Sequence, residues 1–250
     1  MYQKERIENI LGILKANGYV SVKYLTDQLH YSTATINRDL NVMQKQKLVT
    51  RTYGGVELVK RKGVALPFRY HLMKPVKNKM GEIAASLVND GDIIFMDGTT
   101  TTEYIGKYLV NKKNITVITN NISLVAYLSQ YNIKCICLGG EMREAPSMLG
   151  GDIAIENAMK FNADICFFST YAVSTDGMIG GTMYELLHTI MIKNSKKAYF
   201  LADHDKVGIQ FTNNLVSLGD IDGIITDYKF SDEIKKKYSD TEFIEVDLGK

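Results

Sequence analysis

The sequence predicts an α/β protein in two parts, a small helical head closed by a β-hairpin and then a doubly wound, mostly parallel α/β domain. Three observations carry this. Residues 1–62 hold eleven Lys or Arg against five acids, a net +6, which leaves −4 on the remainder of a 250-residue chain whose total is +2. Within that basic segment apolar residues recur at helical spacing in three short runs. From Asp92 onward short apolar runs alternate with helical stretches, and these runs are too apolar for a sheet with one wet face. Strands of that kind are covered on both sides, the habit of parallel sheets. The spans expected are 1–58 for the head, 59–74 for a linker and 75–250 for the α/β domain.

In the head, Ile7, Ile10, Leu11 and Leu14 mark a first amphipathic helix, followed by Gly18. Ser21 caps a second, whose inner edge is Val22, Leu25 and Leu29. Only His30 and Tyr31 separate it from Ser32, the cap of a third helix that buries Ile36, Leu40 and Met43. Two short helices joined by a tight turn make a helix-turn-helix. The outer edge of the third holds Ala34, Arg38, Asn41 and Lys45, flanked by Thr33, Thr35 and Asn37. Small, hydroxyl, amide and guanidinium groups suit a helix in the major groove, where Arg pairs with guanine and Asn with adenine. An ordinary amphipathic surface helix explains the same residues. The neighbouring segment favours DNA: Leu48 to Leu58 alternates in strand fashion around Gly54-Gly55, a hairpin that forms a wing and sets Arg51 and Tyr53 near the phosphate backbone.

Val59 to Lys74 has no period and contains Lys60-Arg61-Lys62, Gly63 and Pro67; it reads as a linker, with Pro67-Phe68-Arg69 docking on the α/β domain. Pro75 opens a helix through Ile83, Ala84, Leu87 and Val88. Candidate strands then fall at 93–96, 115–119, 134–138, 164–169, 197–201, 223–226 and 242–246, with helical patterns near 101–110, 122–129, 152–160, 183–194 and 231–238.

Composition excludes several classes. No run of 18 apolar residues is present for a membrane span, and the N-terminus opens on charged residues, so a cytoplasmic protein is expected. Three cysteines, Cys135, Cys137 and Cys166, lie in apolar runs and are read as reduced core residues. The four histidines are scattered, and neither a metal nor a cofactor is expected.

Open α/β sheets bind ligands outside the carboxyl ends of their strands. There the sequence places Asp97-Gly98-Thr99-Thr100, Asn120-Asn121, Gly139-Gly140 and Asp203-His-Asp-Lys206. A glycine with hydroxyls at a strand-to-helix turn offers donors to an anion, and Lys206 adds a charge. Such residues are also common in any turn; their convergence on one sheet edge is what points to a phosphate-bearing ligand. No P-loop or dinucleotide fingerprint is present.

These segments together resemble the DeoR family of bacterial transcription regulators. The likeness runs through Ser32-x-x-Thr-Ile-x-Arg-Asp-Leu40, Arg51-x-x-Gly-Gly55, Gly98-Thr-Thr100, Thr119-Asn120, Leu138-Gly-Gly140, Glu185, Asp203-x-x-Lys206 and Ile225-Thr-Asp227. It implies a winged helix-turn-helix that binds double-stranded operator DNA through Ser32, Thr33, Thr35, Asn37, Arg38, Asn41, Lys45, Arg51 and Tyr53. It further implies an α/β domain resembling ribose-5-phosphate isomerase, with a phosphorylated sugar held by Asp97, Gly98, Thr99, Thr100, Asn120, Glu185 and Lys206, in a homo-oligomer, dimer or tetramer. The chain departs from the family at Asn37, where a second arginine is usual. An amide there shifts the preferred base from guanine toward adenine. The family's extra residue between Asp97 and Gly98 is missing, Ser169-Thr-Tyr-Ala-Val173 replaces an acidic stretch, and His188 replaces a lysine. Losing that acidic stretch removes carboxylates that isomerisation uses, so a regulator and not an enzyme is expected. A sugar-phosphate isomerase with an accessory head, and a regulator that has lost its effector, are the alternatives.

Overall fold

The computed structural model describes residues 3–17, 19–46, 48–52, 55–58, 73–144, 147–181 and 186–248. The chain divides into two compact units, Met1–Leu72 and Met73–Lys250. The docking expected of Pro67-Phe68-Arg69 lies outside the described residues.

In the first unit α1 (Gln3–Asn17), α2 (Val22–Leu29) and α3 (Thr33–Lys45) pack on a three-stranded antiparallel sheet of β1 (Tyr19–Ser21), β2 (Val49–Thr52) and β3 (Gly55–Leu58) in the order β1-β3-β2. The core is made by the residues that helical spacing singles out, Ile10, Leu11, Leu14, Leu25, Ile36, Leu40 and Met43, joined by Leu48, Val49 and Val56 from the hairpin. Ser21 Oγ accepts from Tyr24 N and Ser32 Oγ from Thr35 N, which closes the first turns of α2 and α3. His30 takes φ 56° between them and makes the sharp turn. β1 has no counterpart among the expected elements, because three residues show no period. It pairs with β3 and lays Tyr19 over Gly55, where a Cβ would come within 2.2 Å of the Tyr19 ring.

A buried ion pair fixes α1 to α3. Asp39 is fully buried and accepts from Arg6 Nε at 2.7 Å, Arg6 Nη2 at 3.2 Å and Gln3 Nε2 at 3.0 Å. Asp39 therefore faces away from the exposed edge of α3, and its carboxylate holds the helix to its scaffold.

The second unit begins with α4 (Lys74–Ser86). A seven-stranded sheet comes next, built from β4 (Ile93–Met96), β5 (Thr116–Thr119), β6 (Lys134–Cys137), β9 (Ala163–Phe168), β12 (Ser195–Ala202), β14 (Gly223–Thr226) and β15 (Glu242–Glu245). Every pairing is parallel, in the order β15-β14-β12-β9-β4-β5-β6. Alternate residues of each strand enter two separate cores. One face carries Ile94, Met96, Val117, Ile165, Phe167 and Leu201 against α4, α5 (Gly106–Leu109) and α6 (Ile122–Leu128). The other carries Phe95, Ile118, Cys166, Phe168 and Phe200 against α7 (Asp152–Ala158) and α8 (Leu186–Lys193). Both faces are covered, which is why the strands read as continuous apolar runs.

Two additions are not legible in the sequence. A hairpin of β7 (Glu141–Glu144) and β8 (Met148–Gly150) lies between β6 and α7, and β10 (Ala172–Val173), β11 (Met178–Gly181) and β13 (Asn213–Ser217) form a small antiparallel sheet. The last named helix is α9 (Asp232–Lys237). One reading of the cysteines is corrected. Cys166 is core and burial pushes its thiol well up, but Cys135 is half-buried and Cys137 exposed, because β6 is an edge strand. Among the described residues no helix is long and apolar enough to cross a membrane.

Candidate DNA interface and anion site

On the head, α3 exposes Ser32, Thr33, Ala34, Arg38, Asn41 and Lys45, while Thr35 and Asn37 are half-buried. Ala34, Arg38, Asn41 and Lys45, at i, i+4, i+7 and i+11, line one edge about three turns long, and the last three carry donors. The side chains are not all loose. Ser32 Oγ caps the helix and also lies 2.9 Å from Thr35 Oγ1. Asn37 Nδ2 donates to the Thr33 carbonyl at 3.0 Å. Arg51 on β2 reaches back to α3, its Nη1 donating to Asn41 Oδ1 at 2.8 Å and its Nη2 to Asn37 Oδ1 at 2.5 Å. Wing and helix are thus tied by one guanidinium. The adenine contact expected of Asn37 needs both ends of its amide, and here both are engaged within the protein. Tyr53 lies outside the described residues.

In the second unit the anticipated turns converge at the carboxyl ends of adjacent strands. Asp97 follows β4 and is buried. Its Oδ1 accepts from Thr99 N at 3.2 Å, Thr99 Oγ1 at 2.9 Å and Thr102 Oγ1 at 2.5 Å. Its Oδ2 lies 2.9 Å from both Ser169 N and His188 Nε2. Burial pushes the Asp97 carboxyl up, but the bond and charge of His188, with Thr102 and Ser169, outweigh it and hold the carboxyl below its ordinary value. Asp97 shapes the turn and turns its own oxygens inward.

Around that turn sit two buried ammonium groups. Lys77, on α4, donates to Thr100 Oγ1 at 3.1 Å and is 2% exposed. Lys206 donates to Thr101 Oγ1 at 3.3 Å and contacts Ser169 Oγ. Neighbouring threonines therefore bring two cations, 129 residues apart in the sequence, onto one loop. Gly98 lets the hairpin approach there, since a Cβ would meet Met148 Cγ at 2.5 Å and displace that side chain. The hairpin carrying Met148 is clamped to the strand ends by Leu149 N to the Asn120 carbonyl and Ile122 N to the Ser147 carbonyl. Asn120 is buried and its Nδ2 donates to the Leu149 carbonyl at 2.6 Å, while its Oδ1 has no hydrogen-bond partner among the described residues. A buried acceptor left open beside Gly98 is suited to a donor that arrives with a ligand.

Of the expected ligand set, Asp97, Gly98, Thr99, Thr100, Asn120 and Lys206 gather here and Glu185 lies outside the described residues. Gly139-Gly140 instead leads into the hairpin, where Gly140 packs on the Gly150 carbonyl. His204 turns outward to Asp227, its Nδ1 2.5 Å from Oδ2. Besides Thr101 and Thr102 of the turn itself, three described residues at the site are absent from the expected set. Ser169 and His188 stand out in the sequence only as departures, yet both bind the turn. Lys77 escapes sequence reasoning, although its position gives a signal: it shares the apolar edge of α4 with Met80, Gly81 and Ala84 at i+3, i+4 and i+7. A lysine there needs a polar reason.

Comparison with known proteins agrees with both halves. The DeoR-like helix-turn-helix domain matches residues 6–62 and the DeoR C terminal sensor domain residues 74–228. The HTH-type transcriptional repressor GlcR of Bacillus subtilis (strain 168) is 33% identical over 231 residues, covering 91% of this chain and 89% of that protein. The glycerol-3-phosphate regulon repressor of Escherichia coli (strain K12) is 28% identical over 232 residues, covering 91% and 92%. The lactose phosphotransferase system repressor of Staphylococcus aureus (strain NCTC 8325 / PS 47) is 25% identical over 242 residues, covering 94% and 96%. Among solved structures, ribose 5-phosphate isomerase A from Methanocaldococcus jannaschii gives a TM-score of 0.40 at 19% identity over 54% of each chain.

Proposed function

The chain belongs to the DeoR family of transcription regulators, and from that premise we propose that its second unit senses a phosphorylated sugar and so sets the affinity of the head for operator DNA. The observation that carries this reading is the pair of buried lysines, Lys77 and Lys206, on adjacent hydroxyls of the Gly98–Thr102 turn. Two ammonium groups held at one glycine–threonine turn offer charge-assisted donors to a phosphate dianion. This unit is mildly acidic overall, so an anion gains nothing from its general field and depends on these local groups. Asn120 Oδ1 then accepts from a sugar hydroxyl. The regulons named for the relatives, glycerol-3-phosphate and the lactose phosphotransferase system, fit an effector of this chemistry.

The sensing is binding without turnover. A general base must offer a lone pair to the substrate's proton, whereas the carboxylate at this turn, Asp97, has both oxygens committed to the protein. A two-fold operator needs two heads, so the working form is an even-numbered homo-oligomer.

Calorimetry against a panel of pentose, hexose and triol phosphates, each beside its unphosphorylated parent, tests the reading. One phosphorylated compound is expected to bind below millimolar concentration and its parent not to bind. Lys77→Met and Lys206→Met should each weaken that binding at least tenfold, consistent with loss of a charge-assisted contact of about 1.5–3 kcal/mol. Coupling energies of about 1–3 kcal/mol imply a 5- to 150-fold change in operator affinity on binding. If no phosphorylated sugar binds, the sensing role is wrong.

A further inference from the structure

The contact between Arg51 and α3 has a consequence for how the head reads sequence. An arginine has donors and no acceptor, so the two amide atoms it meets must be oxygens. Asn37 Oδ1 and Asn41 Oδ1 are therefore both turned to the wing. The nitrogen of Asn37 is taken by the Thr33 carbonyl. That leaves the amide nitrogen of Asn41, on the exposed edge of α3, as the group this fork presents to a partner.

We propose that Arg51 is a positioning residue for base recognition, holding Asn41 as a donor-only reader and withdrawing Asn37 from the bases. Oriented this way, Asn41 donates to guanine O6 or N7 or to thymine O4, and at adenine to N7 alone. It forgoes the adenine fork, which needs amide oxygen and nitrogen together. Recognition by α3 then falls to Arg38 and the Asn41 nitrogen, with Lys45 on the backbone. The exchange at Asn37 acts through geometry: a long cationic side chain there would repel Arg51, whereas a short amide accepts from it. The proposal rests on the head's reading of operator DNA and is independent of the sugar-phosphate site.

The competing role for Arg51 is a plain phosphate contact from the wing. Arg51→Lys separates the two, because a single ammonium keeps the charge but cannot fork to two amides. Full-length wild type and variant are each taken through selection from randomised duplexes. The selected operator and a random duplex are then titrated at several salt concentrations. Because both duplexes are titrated with one preparation, their ratio does not depend on the folded fraction. Arg51→Lys keeps the charge, so random-duplex affinity and the salt slope should change less than operator affinity does. The operator-over-random ratio should fall about tenfold, with adenine enriched at the position Asn41 reads. On an Asn41→Ala background, where the exposed reader is gone, the same exchange should cost nothing further. An unchanged ratio and logo overturns the proposal. So does a loss shared equally by both duplexes, which makes Arg51 a phosphate contact. A wild type that enriches no sequence removes sequence reading by the head and this proposal with it, whereas a wild-type logo retained by the variant removes the proposal alone.

Discussion

Asp97→Asn changes one atom and keeps the shape of the side chain, so it isolates what the buried carboxylate contributes. Asp97 Oδ1 accepts from Thr99 N, Thr99 Oγ1 and Thr102 Oγ1, and Oδ2 faces Ser169 N and His188 Nε2. An amide has one acceptor end. If its oxygen serves the threonines, its NH2 confronts the Ser169 N–H; if it is flipped, its NH2 confronts the Thr99 N–H. The hydroxyls can rotate and the imidazole can change tautomer, but a backbone N–H can do neither. One buried donor is stranded in either orientation, at about 1–3 kcal/mol, and the surviving bonds lose their charge assistance. Relief from burying a charge offsets part of this, so the net cost is about 2 kcal/mol. For a unit of this size that is a fall of roughly 4–8 °C in Tm. Its pH dependence has a definite sign. The carboxyl lies below its ordinary value in the fold, so its stabilisation is complete above the unfolded value of about 3.9 and is lost as the pH falls through the folded one. The gap between wild type and variant should be full at pH 7 and shrink below about pH 4, as wild type itself becomes protonated. Scanning calorimetry of the full chain from pH 7 to 3 reads this on the transition of larger enthalpy. Equal midpoints at pH 7, or a gap that stays constant into acid, would refute the account of Asp97 as the carboxylate that organises the turn.

Two further outcomes concern the head. Arg38→Ala should weaken operator binding by about 1–3 kcal/mol while changing random-duplex binding less, and Lys45→Ala should weaken both and flatten the salt slope by about one phosphate; gel shifts at several salt concentrations distinguish them, and an Arg38 variant that binds both duplexes like wild type reassigns the reading edge. Leu40→Ala empties a fully buried position of a small core, at about 2–5 kcal/mol, enough to unfold much of a head this size. DNA binding should vanish at 37 °C while any sugar-phosphate titration remains as in wild type, and a variant that still shifts operator would show the core to be less dependent on Leu40 than its burial indicates.

By itself the sequence determined the elements whose signal is local and periodic. Ile36, Leu40 and Met43 at helical spacing, with Ser32 before them, define α3, because a helix presents one face and its first turn lacks acceptors. The mostly apolar runs at 93–96, 164–169 and 197–201 announce strands buried on both faces, and all seven anticipated strands lie in one parallel sheet. Tertiary structure decided whatever depends on contacts between distant residues. Tyr19–Ser21 becomes a strand only because β3 offers it an edge, and Met178–Gly181 only because Ala172–Val173 and Asn213–Ser217 flank it. No three- or four-residue run carries a period that could reveal this. The same reason governs the sites. Asp97 and Lys206 could be picked out because strand ends collect ligands, but that Asp97 faces inward depends on Ser169 and His188, 72 and 91 residues away. Lys77 meets Thr100 only once α4 packs beside the turn, and Arg51 commits the amides of Asn37 and Asn41 only once the wing folds against α3. Side-chain type is a property of the chain, whereas which end of an amide or carboxylate remains available is a property of its neighbours.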